Sequence, residues 1–139
     1  MKRFTVCCYL LLFPLFLFTG CSEKVTLHQS AEEIVQIDLI YSPFNQFDVL
    51  YTLSDEEIKE CAEEILNLDL HRNSSPSGNG GTYIVKIVYS DGAIESLGSW
   101  SISYVSDGNT EHDGWYYVSK DDLLQLFTRY IDPDQIPIP

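Results

Sequence analysis

The sequence predicts a single α+β domain: a mainly antiparallel sheet of about five strands with two helices packed on one face, in the order β-β-α-β-β-β-α. Three observations carry this expectation. Apolar residues alternate over 33–43, a capped amphipathic stretch follows at 54–72, and a strand–turn–strand pattern surrounds Ser90-Asp91-Gly92. Aromatic residues make up 13% of the chain, which favours a packed β-rich core over disorder.

The elements follow in chain order. In "EIVQIDLIYSP", Val35, Ile37, Leu39 and Tyr41 share one side of a strand, with Gln36 and Asp38 on the other beside Ile34 and Ile40, and Pro43 closes it. "DVLYTL", residues 48–53, is a second short strand, and Asn45-Gln46 supplies the turn of an antiparallel pair. Ser54 and Glu57 form a capping box for a helix over 54–72. Asp55, Glu56 and Glu57 suit its positive start, and His71-Arg72 its negative end. Ile58, Cys61, Ala62, Ile65 and Leu66 repeat at i, i+3, i+4, i+7 and i+8, which makes one buried stripe.

"NSSPSGNGG", residues 73–81, is a loop without the Lys-Ser/Thr of a phosphate cradle. Ser90-Asp91-Gly92 turns one strand into the next, where Trp100, Ile102 and Tyr104 alternate with serines. Residues 106–114 read as a polar loop and "WYYV", residues 115–118, as a strand pairing back onto 99–105. Ser119 and Asp122 cap a last helix with Leu123, Leu124, Phe127, Tyr130 and Ile131 on its buried side. "DPDQIPIP" reads as a proline-broken tail.

The N-terminus has a different grammar. After Met1-Lys2-Arg3, residues 4–20 carry no charge, and the run stops at Gly20-Cys21 before a polar stretch. A basic start, an apolar centre and small residues at its end describe an export signal. The run is short for a membrane span, which needs about 20 apolar residues, and Pro14 interrupts it. Phe18-Thr19-Gly20-Cys21 resembles the lipobox of bacterial lipoproteins, although Phe18 stands where that family usually has Leu. The resemblance implies cleavage before Cys21, a diacylglyceryl group on its thiol, and a domain held at the outer side of the cell membrane. The chain then divides into a signal at 1–20, a lipidated tether at 21–32, the domain at 33–131 and the tail at 132–139. An uncut N-terminal anchor is the alternative. A weaker resemblance, carried by "YSDG" and "DGWYYVSKDDL", is to small lipoproteins of Gram-positive bacteria, and it implies no activity.

Charge bounds the partners. The 139 residues hold 21 acids and 8 bases, a net charge of −13. Loss of Lys2 and Arg3 with the signal leaves six bases against 21 acids, near −15. Nucleic acid needs a basic patch and is excluded as a partner. Anionic lipid repels such a domain, so the anchor holds it at the membrane. Of four cysteines, Cys7 and Cys8 lie in the signal and Cys21 is the lipid site, which leaves Cys61 alone and buried on its helix.

The expectation for function is a binding or accessory module, not an enzyme, with no cofactor and no metal. His28, His71 and His112 lack zinc spacing, and no serine sits in a G-x-S-x-G elbow. The candidate binding surface is Tyr116 and Trp115 with the preceding Asp107, Asn109, Glu111 and His112, offered to an envelope protein or peptide. Strand alternation sets Tyr116 opposite Trp115 and Tyr117, so Tyr116 is expected to be the less buried ring. Residues 107–113 also place oxygen ligands at alternate positions, as a calcium loop does, but His112 stands where glycine is required. The alternatives are therefore a metal-dependent or hydrolytic enzyme using that loop, or an inhibitor or immunity-type protein that fills a partner's site with its acidic surface.

Overall fold

A computed structural model describes residues 30–43, 46–72, 82–106, 108–113 and 116–138. The fold is α+β, with a mainly antiparallel sheet and two helices. Strands β1 (Ile34–Ser42), β2 (Asp48–Thr52), β4 (Thr82–Tyr89), β5 (Ile94–Gly98), β6 (Ile102–Ser106) and β7 (Asn109–Asp113) form a six-stranded antiparallel sheet in the order β2-β1-β4-β5-β6-β7. A separate antiparallel pair joins β3 (Leu70–Arg72) to β8 (Tyr116–Val118). Helices α1 (Asp55–Leu66) and α2 (Lys120–Tyr130) complete the domain.

Alternation along the central strands decides which face packs. Ile37, Leu39 and Tyr41 of β1 and Tyr83, Val85, Ile87 and Tyr89 of β4 are buried in one apolar cluster. Ile58, Cys61, Ala62 and Ile65 of α1 join it, as do Leu123, Leu126 and Phe127 of α2. Both helices therefore lie on one face of the sheet. The β3–β8 pair lies on the same side, with Val118 fully buried against the cluster. Each large side chain buried in this way contributes about 1.5–3 kcal/mol.

Local chemistry sets the helix starts. Ser54 Oγ accepts from the Glu57 N–H, and the Glu57 carboxylate accepts from the Ser54 N–H at 2.7 Å, so two orphan donors are satisfied reciprocally. Ser119 Oγ accepts from the Asp122 N–H at 3.1 Å. Cys61 is buried, and desolvation pushes its thiol above the ordinary cysteine range.

Several sequence expectations require correction. Helix α1 stops at Leu66 rather than running to residue 72, because Asn67 caps it through a side-chain bond to the Glu63 carbonyl at 2.6 Å. His71 and Arg72 lie in β3, not at a helix end. A bulge between Ile34 and Gln36 turns Ile34 into the core and leaves Val35 54% exposed. The stretch after Gly92 is two strands, since the chain reverses between Gly98 and Ser101. The Gly98 N–H donates to the Ser101 carbonyl, and a Cβ on Gly98 would sit 2.8 Å from that oxygen, so the turn requires glycine. Within the stretch read as a loop, residues 109–113 are a strand: Gly108 has φ +77°, and β7 pairs with β6. That strand brings the sheet to six. Residues 116–118 pair with β3, not with 99–105. The tail is also docked, with Ile136 buried and the Pro137 carbonyl accepting from the Tyr83 hydroxyl at 2.6 Å.

Candidate functional site

Cys21, Asp107 and Trp115 lie outside the described residues. Asn109 and Glu111 are exposed on β7, the outermost strand beside β6. The His112 backbone pairs with Ser103 in the same ladder. Along an extended strand, alternate residues are about 6.6 Å apart. Asn109 and Glu111 are thus spread in a line, whereas a calcium site wraps its oxygens around one point at about 2.4 Å. Among the described residues, no three His, Cys, Asp or Glu side chains converge as a metal site.

The tyrosines of β8 take the reverse of the expected arrangement. Tyr116 is half-buried and packs against the core, on the side of Val118. Tyr117 stands on the other side, its ring 5.5 Å from that of His71 across the β3–β8 ladder. Tyr116→Ala is expected to cost about 2 kcal/mol as a partial core truncation. Tyr117→Ala is expected to cost less than about 1 kcal/mol. Thermal unfolding of the two variants side by side checks this ordering, and equal losses would place both rings in the core.

The sheet face opposite the helices has an organisation that the sequence did not reveal. Cross-strand register aligns Val49, Ile40, Ile84 and Gly98 in one row. The next row reads Thr52, Asp38, Lys86, Ser96 and Ser103. Gln36, Val88, Ile94, Val105 and Thr110 form a third, aliphatic at its centre and polar at its ends. None of these aliphatic side chains belongs to the helix-side cluster. A polar row thus runs between two rows with aliphatic centres.

Asp38 is the centre of the polar row. It is only 3% exposed. Gln36 Nε2 donates to both of its carboxylate oxygens, Thr52 Oγ1 donates to one at 2.8 Å, and Lys86 Nζ reaches the other at 3.3 Å. Burial pushes the Asp38 carboxyl up, but these bonds together outweigh it and hold the group below its ordinary value. On the helix side, Glu95 is 2% exposed and accepts from the Tyr89 hydroxyl at 2.8 Å. Burial and this bond raise the Tyr89 pKa, so its hydroxyl remains a donor. Both buried carboxylates are thus engaged in structural hydrogen bonds.

No protein-family model matches the chain, and no match is found among curated proteins or solved structures. Among the described residues, no helix is long and apolar enough to cross a membrane.

Proposed function

We propose that the chain is a lipid-anchored extracytoplasmic protein whose α+β domain works by binding an envelope protein or peptide. One observation carries the reading: the charge-free run of residues 4–20 ends at Thr19-Gly20-Cys21 and gives way at once to polar sequence. Two acyl chains on Cys21 would supply a stable anchor, since each buried methylene contributes about 0.8 kcal/mol. The strongly acidic domain gives no electrostatic help at an anionic membrane, so the lipid must do the holding. The same charge favours a basic partner and suits an inhibitor or immunity-type role. A metal-dependent or hydrolytic enzyme finds no support in the extended course of residues 109–113.

Cys21→Ala tests the anchor. The unaltered chain is expected in the membrane fraction with residues 1–20 removed. The variant is expected to keep its signal and run as the longer precursor. Membrane retention with no change in mass between the two would mean an uncut anchor and would overturn the lipid reading.

A further inference from the structure

We infer that the sheet face opposite the helices is the contact surface between two copies of this chain, packed sheet to sheet about a two-fold axis that runs along the strands between β1 and β4. The pairing of the faces rests on register and charge. Only its placement on one membrane rests on the lipid-anchor reading.

Charge singles out this face. The sequence holds 21 acids. Across β2, β1, β4 and β5, the three rows hold one acid, Asp38, and it is paired with their one Lys or Arg, Lys86. Exposed acids stand elsewhere, as Glu60 and Glu63 do on α1 and Asp121 on α2. Charged residues are depleted at the centres of protein interfaces. The face is continuous, because each residue of a row is the register partner of the next. It is also open: Ile84, Val88 and Ile94 are only half-buried, and Val49 is 55% exposed.

The pattern chooses the occupant. A two-fold contact requires a surface that complements itself. Rotation about an axis along the strands, midway between β1 and β4, sets β1 on β4 of the second copy and β2 on its β5, with each row on its own counterpart. Ile40 then faces Ile84. Val49 faces Gly98, which has no side chain to fill the space. The Asp38–Lys86 pair meets the same pair reversed, acid toward base. An axis across the strands would instead set Asp38 on Asp38 and Lys86 on Lys86. The chosen axis also leaves both chains entering from the same end, so two anchored copies can pair on one membrane. Four strands at about 4.8 Å and three rows at about 6.7 Å give about 400 Å² of sheet plane per copy. About 800 Å² in all makes a weak dimer in solution, which tethering to one surface strengthens by raising the effective concentration. Sheets pack about 10 Å apart, and the helices lie on their far sides, so the acidic helix surfaces are separated by more than the screening length of about 8 Å.

The test is site-specific photo-crosslinking of the full chain in the cells that make it, with a tagged and an untagged copy expressed together. The photoreactive residue replaces Val49 or, as the control, the exposed Gln125 of α2. The expected result at 49 is an adduct of twice the chain mass that contains both copies, with at least tenfold less at 125. Fragment mapping should join 49 to residues 94–98 of the other copy. Ser96→Glu puts an acid on the face and should lower the yield at 49 at least tenfold without moving the thermal midpoint. Ser96→Ala adds no charge and should keep the yield. An adduct with another protein or with lipid alone, equal yield at 125, a link from 49 only to residues 48–52, or equal losses in the two Ser96 variants would each overturn the inference. The purified full chain, concentrated in detergent, should give the same adduct. Its absence there would overturn the pairing whatever fractionation says of the anchor.

Discussion

Phe127→Ala is expected to lower the unfolding free energy by about 3–5 kcal/mol. Phe127 is fully buried, and its ring lies 5.2 Å from that of Tyr83. Tyr83 in turn stacks at a tilt against Tyr41 and holds the Pro137 carbonyl. Truncation therefore opens a cavity where α2, β4, β1 and the tail meet. A domain of this size has about 5–15 kcal/mol in all, so the loss is a large share of the total. Urea unfolding followed by tryptophan fluorescence should show the midpoint falling by about 2 M at ordinary slopes. Phe47→Ala, a truncation of a similar ring at an exposed site, should stay within about 0.5 kcal/mol. Equal effects at the two positions would mean that the core is not where α2 meets β4.

Asp38→Ala is the second large expected effect. Its removal leaves Lys86 and the Gln36 amide without the carboxylate that both engage. Breaking a buried pair from one side costs about 3–5 kcal/mol. The Lys86 side chain is 33% exposed and can turn toward water, so the low end, about 3 kcal/mol, is expected. The effect carries a pH signature. Asp38 is held below its ordinary pKa in the folded state, so its stabilisation is complete above the unfolded value, about 3.9. It is lost as pH falls through the lower folded value. The gap in stability between the unaltered chain and Asp38→Ala should be constant near neutrality and shrink below about pH 4. Chemical denaturation across that range measures it, and a gap that stays constant to pH 2 would mean that the Asp38 network does not stabilise the charged form.

The parts of the fold that were legible in the sequence are those specified locally. The α1 capping box needs only Ser54 and Glu57, and its stripe needs only period and apolar side chains. The core face of β4 follows from simple alternation. What failed depends on a distant partner. Residues 70–72 look like the end of a helix until β8 arrives, 46 positions later, to pair with them. Residues 109–113 are polar because they form the outermost strand, where charged residues discourage further pairing, and that composition is indistinguishable from a loop. The Tyr116 error has the same origin: alternation correctly separates it from Tyr117, but only the position of β3–β8 over the core decides which side is inward.

The candidate sites were still less legible. Gln36 and Asp38 interrupt an apolar strand, and that was the available signal for the polar row. Lys86 joins them from 48 positions away through the β1–β4 register.

The proposed function rests on the anchor, a lipid carried on Cys21. The intact mass of the protein extracted from membranes tests its central claim most directly. The account predicts a chain that begins at Cys21 and carries added diacylglyceryl mass. A membrane-bound chain of the full 15.9 kDa, still beginning at Met1, would contradict it.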